Sequence, residues 1–218
     1  MIDVTPLSDV LPRLQAVGET VEVLAGESLA EHDVPGVLGV VASGRMAVQV
    51  DVEGARRRTI ALLQAGDALV TPTAEWPGAP GARAVAATDS QVVVITAPVT
   101  EVVARDPELG AWLVRALAQA VADRELSAAI ALEPRLERRL VLKLRQLAER
   151  WGRVTPEGVR LDLRVTHQEL GDMIGGARES VTAALGRLQD AGEITVRRRT
   201  VILRAMDDDQ AGTATDSA

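Results

Sequence analysis

Cysteine is absent from this 218-residue chain, which excludes disulfides, thiolate metal sites, cysteine-ligated iron–sulfur clusters and cysteine nucleophiles. Histidine is nearly as scarce: only His32 and His167 occur, so a histidine-dependent nucleophilic site has little material. His32 lies between Glu31 and Asp33 and reads as a surface residue. As the one plausible imidazole ligand for a haem, it gives haem gating little to rest on. No cofactor and no metal set is expected, and an enzyme is the least favoured class. Phenylalanine and tyrosine are missing and tryptophan occurs three times, so the cores must be built from Val, Leu, Ala and Ile. Lys143 is the single lysine and asparagine is absent, which reads as a bias towards GC-rich codons. No apolar run approaches the roughly 18 residues that a membrane span needs. The opening MIDVTPLSDVLPRLQAV is interrupted by Asp3, Pro6, Asp9 and Pro12 and makes a poor signal peptide. A cytoplasmic protein without a membrane partner is the expectation.

What is present is unevenly charged. The net charge of −7 would argue against nucleic acid if taken whole. Residues 1–133, however, carry 9 Arg/Lys against 18 Asp/Glu, whereas residues 134–205 carry 15 against 9. The stretch 206–218 adds four aspartates and, being polar and acidic, is expected to be a disordered tail. A basic module on an acidic body fits a DNA-binding domain joined to a separate sensor or dimerisation domain.

Residues 1–20 predict a short helix with Val10, Leu11 and Leu14 as its apolar side. From Thr20 to Ile95 the pattern is strands and Gly-containing turns, which suggests a small β-sandwich or roll. Pro72–Gly81, rich in Pro, Gly and Ala and holding Trp76, reads either as a surface loop covering an apolar edge or as a remodelled ligand pocket. Its GAPGAR run lacks the Lys-Ser/Thr of a phosphate loop. Residues 107–132 form the longest helical pattern, with Pro107 suited to the first turn. Leu109, Leu113, Ala116 and Ala120 make one seam, with Leu117 and Val121 beside it. That helix either packs on its own β-domain or lets a second copy approach over its small alanines. Pro134 breaks the pattern, placing a hinge at Leu132–Pro134. An amphipathic helix follows, with Leu136, Leu140, Leu144 and Leu147 at three- and four-residue spacing. GVRLDLRV is then a strand.

Thr166 to Leu188, THQELGDMIGGARESVTAALGRL, reads as two short helices around a Gly-Gly turn. Thr166 with Glu169 fits a capping box. Leu170, Met173 and Ile174 share one apolar stripe, and Val181, Leu185 and Leu188 another. Arg178, Glu179 and Thr182 are left pointing outward. A helix-turn-helix has this geometry, its second helix entering the DNA major groove; an ordinary helical hairpin has it too. EITVRRRTVILR reads as a hairpin with Arg197, Arg198 and Arg199 at its tip, a wing whose arginines would meet phosphates.

HQELGDMIGGARESVTAALGRL, with its following A-G-E-I step and basic strand-turn-strand, resembles the DNA-binding signature of the cyclic-AMP-receptor/fumarate-nitrate-regulator (Crp/Fnr) family of bacterial transcription factors. The order VVASGRMAVQV then IALLQAGDAL resembles that family's cyclic-nucleotide-binding β-roll. The resemblance implies an α+β protein: a β-roll over residues 1–106, a dimerisation helix and hinge over 107–133, and a winged helix-turn-helix over 134–205. It implies a homodimer on a palindromic double-stranded site, with Leu109, Leu113, Ala116 and Ala120 at the dimer interface and RNA polymerase as a further partner. It assigns base contacts to Arg178 and Glu179, to which we add Thr182 as a reader of a thymine methyl. Phosphate contacts fall to Thr166, Gln168 and Ser180, with His167 between the first two. The family's third base reader, an Arg, is Ala183 here. The resemblance also breaks at the nucleotide pocket. Val70 and Thr71 stand where a Gly-Glu pair is expected, and Gly81 stands near the place of the phosphate-binding Arg, with Arg83 two positions away. Thr71 and Arg83 remain the candidate effector contacts. The expectation is a regulator independent of cyclic AMP; the alternative is one gated by a different small molecule or nucleotide.

Overall fold

A computed structural model describes residues 5–32, 38–51, 58–70, 82–197 and 200–204. Thr71, Trp76, Arg198, Arg199 and the acidic tail lie outside the described residues. The chain divides into two compact units, Met1–Leu126 and Ser127–Ala218, and the division falls within one long helix.

The first unit opens with helix α1 (Leu7–Val17), whose Val10 and Leu14 are fully buried and whose Leu11 packs beside them. Among the described residues, seven antiparallel strands follow: β1 (Gly18–Val23), β2 (Leu38–Ser43), β3 (Arg45–Val50), β4 (Arg58–Gln64), β5 (Ala68–Val70), β6 (Ala82–Ala86) and β7 (Ser90–Ile95). They form one sheet of order β1-β7-β2-β5 and another of order β4-β3-β6. Val92 and Val94 of β7 face a core shared with Val21, Val41, Met46 and Ala86 of both sheets. Val93 and Ile95 face the other way, into a core shared with α1 and the helices that follow. That two-sided burial explains why VVVI runs continuously apolar instead of alternating. Gly44 closes the β2–β3 turn at φ 79°, where a Cβ would lie 2.4 Å from the Asp89 carbonyl oxygen.

Helices α2 (Val99–Arg105) and α3 (Pro107–Leu132) meet at Asp106. Its amide closes α2 by donating to the Val102 carbonyl, and its carboxylate caps α3 by accepting from the Leu109 amide at 3.0 Å. The same carboxylate takes Arg13 Nε at 2.7 Å and a second Arg13 nitrogen, while Arg13 Nη1 reaches Glu108 Oε2 at 3.1 Å. Trp112 Nε1 donates to the Thr5 carbonyl at 3.2 Å. Asp106 thus ends one helix with its amide, while its carboxylate starts the next and joins α1 to α3.

The dimer-seam expectation is corrected here for two residues. Leu109 and Leu113 are 1% and 2% exposed, inside the core that contains Val10, Leu14 and Trp112. A second chain cannot touch them. Ala116 is partly buried against that same core, and Ala120 is half-buried. The spacing was apolar because α3 lies on its own β-domain. Its outward face carries Val114, Ala118 and Val121, with Val114 63% and Val121 49% exposed.

The second unit holds the end of α3, α4 (Leu136–Trp151), β8 (Gly152–Thr155), β9 (Gly158–Leu161), α5 (His167–Ile174), α6 (Arg178–Asp190), β10 (Ile194–Arg197) and β11 (Thr200–Leu203). Pro134 separates α3 from α4, as its geometry dictates. The three helices α4, α5 and α6 pack on one another over Leu140, Leu144, Leu170, Ile174, Val181 and Leu185, beside an antiparallel sheet of order β10-β11-β9-β8. Lys143 is unexpectedly buried in this unit, its Nζ donating to Ser127 Oγ at 2.9 Å and to Gln146 Oε1 at 2.7 Å.

The Arg13–Asp106 pair makes a pH-dependent contribution. The Arg13 guanidinium, then the Leu109 amide, hold the Asp106 carboxyl below its ordinary range. A depressed carboxyl contributes stability above its unfolded pKa and loses it as pH falls through the folded one. Replacing Arg13 with Met is therefore expected to lower the thermal midpoint at about pH 7, by a margin that shrinks as pH falls below about 4, in circular dichroism melts of both proteins across that range.

Candidate nucleic-acid interface

Helix α5 starts as its sequence predicts. The Glu169 amide donates to Thr166 Oγ1 at 3.1 Å and the Thr166 amide donates to Glu169 Oε2 at 2.7 Å, a reciprocal capping box. It ends at Gly175 in the left-handed region, φ 67° and ψ 37°, which a side chain would strain. Gly171 contributes to the same turn in a way the sequence did not reveal: a Cβ there would sit 2.6 Å from the Gly176 carbonyl oxygen. Gly176 also donates its amide to the Gly171 carbonyl at 2.8 Å.

Helix α6 then begins with no side-chain cap. Its N-cap is Ala177, whose side chain satisfies none of the free amides of the first turn. A helix start left open in this way favours an anion. Val181, Ala184, Leu185 and Leu188 face the core, and Arg178, Glu179, Ser180, Thr182 and Ala183 are exposed. Among the described residues, no hydrogen bond or ion pair engages the side chains of Arg178, Glu179 or Ser180. Further along, Arg187 donates to Glu137 on α4 with Nε at 2.9 Å and with a second nitrogen. Its own amide, then Arg187, lower the Glu137 carboxyl pKa. Gln189 Oε1 accepts from the Val196 amide at 3.2 Å, which joins α6 to β10 of the wing.

A recess of about 610 Å³ lies between the start of α5, the start of α6 and the wing. Arg164, His167, Gln168 and Arg178 line it on one side and Val196 and Val201 on the other. Arg164, exposed two residues before Thr166, is a cation that sequence reading passed over. Of the predicted residues, Thr166, His167, Gln168 and Arg178 are thus brought together, with Thr182 beside His167, but not all are free. Gln168 donates to Asp172 Oδ1 at 2.7 Å, one turn along its own helix. His167 Nδ1 lies 2.8 Å from Thr182 Oγ1. Arg197 is exposed at the end of β10, paired in register with Thr200. Outside this unit, Arg83 on β6 donates from Nη2 to Asp51 Oδ2 at 2.8 Å, so the candidate phosphate ligand already faces a carboxylate.

Comparisons with known proteins agree with this geometry. Residues 135–208 match the Crp-like helix-turn-helix domain. A global nitrogen regulator from Synechocystis is 28% identical over 113 residues, 50% of each chain, so the match spans about half the length of that relative. Among solved structures, a CooA mutant from Carboxydothermus hydrogenoformans superposes with a TM-score of 0.74 at 23% identity over 92% of both chains. A CRP/FNR-family transcriptional regulator from Thermus thermophilus superposes with a TM-score of 0.60 at 25% identity, over 86% of this chain and 94% of that one. Residues 135–208, a winged helix-turn-helix whose second helix starts uncapped, therefore form a Crp-like helix-turn-helix domain, and the chain shares its fold with CRP/FNR-family regulators.

Proposed function

We propose that this protein is a homodimeric, sequence-specific DNA-binding transcription regulator that works in the bacterial cytoplasm. The observation that carries the reading is the start of α6: uncapped, exposed and headed by Arg178 and Glu179 beside an arginine-lined recess. In a major groove, Arg178 pairs bidentately with guanine and Glu179 accepts from a cytosine amine. Ser180 and the open amides of α6 meet the phosphate that flanks those bases, with Thr166, Arg164 and Arg197 on the backbone to either side. Ala183 offers no polar group where the family has a third arginine, so the half-site differs from the family's common sequence or is read less stringently at one base pair.

Two recognition helices cover a palindromic site better than one. The dimer surface we assign is the outward face of α3, Val114, Ala118 and Val121 at four- and three-residue spacing, in place of the buried leucines. RNA polymerase is the partner through which such a dimer would act. Independence from cyclic AMP is supported by Val70, exposed at the end of β5 where the resemblance places a Gly-Glu pair.

Selection of duplexes from the chain's own genome, at fixed salt and with or without cyclic AMP, tests the whole reading. Specific binding unchanged by the nucleotide is expected; binding only in its presence would overturn the effector part. Arg178→Ala is expected to bind the selected site roughly 10- to 100-fold more weakly while binding random duplex as before. Substituting Arg164 and Arg197 together should weaken binding on every sequence and reduce the slope of log affinity against log salt by about one for each phosphate no longer neutralised. Val114→Arg with Val121→Arg should convert the dimer to a monomer by light scattering. A dimer that persists would move the interface elsewhere.

A further inference from the structure

Thr182 stands one turn into α6, exposed, on the face that carries Arg178. Its Oγ1 lies 2.9 Å from the Arg178 carbonyl oxygen and 2.8 Å from His167 Nδ1. A hydroxyl has one hydrogen to give. Donated to His167, it leaves the carbonyl contact empty. Donated to the Arg178 carbonyl, the back-bond that threonine makes within helices, it leaves Oγ1 free to accept from a protonated Nδ1. Only that arrangement makes both contacts hydrogen bonds, and it fixes His167 with its hydrogen on Nδ1.

Two consequences follow for what Thr182 can read. With its hydrogen committed to the helix, the hydroxyl cannot donate to guanine O6 or N7 or to thymine O4. Held from both sides, the side chain keeps one rotamer, and its methyl is the group left for recognition. Apolar contact with the thymine C5-methyl is what a threonine methyl offers in the major groove.

We propose that His167 is a positioning residue for specificity: it locks Thr182 as a reader of a thymine methyl and so specifies one thymine in each half-site. The proposal rests on α6 being the recognition helix. It also gives His167 a role other than the phosphate contact that its place between Thr166 and Gln168 suggests, because its Nδ1 is turned to the recognition helix.

The test uses the full chain and a site that it selects from a random duplex pool. Each thymine of that site is replaced by uracil, which removes only the C5-methyl. At one thymine per half-site, the replacement is expected to weaken binding about fourfold, the worth of one apolar carbon. Thr182→Val, which keeps a methyl on a stiff β-branched side chain, should retain that sensitivity. Thr182→Ser should lose it. His167→Ala should lose it while still binding the uracil duplex, and His167→Asn, which returns an N–H close to the place of Nδ1, should recover it. A site with no uracil-sensitive thymine, or a sensitivity that survives His167→Ala, overturns the proposal. Arg178→Ala separates the two levels. If it erases sequence preference, the recognition helix stands whatever uracil shows; if it leaves the selected site bound as tightly as before, the recognition-helix reading itself fails.

Discussion

The backbone contact between Gly171 and Gly176 is the constraint on which the reading face depends. A methyl group at residue 171 would come within 2.6 Å of the Gly176 carbonyl oxygen, so α5 and the chain entering α6 approach as closely as bare backbone allows. Gly175 supplies the left-handed turn and Gly171 the room to make it. Once the turn is fixed, Val181, Ala184, Leu185 and Leu188 have one direction in which to find apolar partners, and that direction sets the opposite face. Arg178 and Thr182 are outward because the leucines are inward. A larger residue at 171 would therefore displace the exposed face of α6 without touching any residue on it.

Helix α3 is governed by a comparable economy of faces. Its inner side, through Leu109, Trp112 and Leu113, completes the core beneath the β1-β7-β2-β5 sheet, and its start is fixed to α1 through Asp106 and Arg13. That side is consequently occupied. Val114 and Val121 are left exposed on a helix otherwise anchored along the first unit, and exposed valines in line on an anchored helix form a stiff apolar strip. A stiff strip loses less conformational entropy on association than a mobile one. Its rigidity comes from the same leucines that the family resemblance assigned to the interface.

How much of this was legible follows from what each signal depends on. The capping box, the Gly-Gly turn and the apolar stripes of α5 and α6 are local, spaced within a turn or two, and the sequence displays them directly. The strand-rich character of residues 20–95 was legible for the same reason. Partner choice was not. Leu109 and Leu113 have a helical period whichever surface covers them, and periodicity does not name the surface. The burial of Lys143 depends on Ser127 and Gln146 being brought together across two helices, which no local pattern encodes. β8 was missed because Gly152–Thr155 is short and half polar, and it is recognisable only through its pairing with β9. Arg164 lay outside the motif that drew attention, and its relevance appears only when the wing folds back beside α5. The outward position of Thr182 was legible from its spacing, but the state of its hydroxyl required His167, fifteen residues earlier, to be placed against it.

The effector question turns on how strong the Arg83–Asp51 pair is. Arg83 is 30% exposed and Asp51 47%, and a pair so open to water contributes little, about 0–1 kcal/mol. A phosphate could displace that carboxylate at small cost, so the pair by itself is a weak lock against a nucleotide. Selectivity has to come from the rest of the site. Exchanging a carboxylate for a phosphate on one arginine is nearly neutral, and a nucleotide gains affinity only where further groups hold its ribose and base. Val70, apolar and 48% exposed at the end of β5, gives a ribose hydroxyl no charge-assisted bond. Val70, rather than the Arg83–Asp51 pair, is therefore what weighs against cyclic AMP. It leaves room for an anion that needs only the arginine.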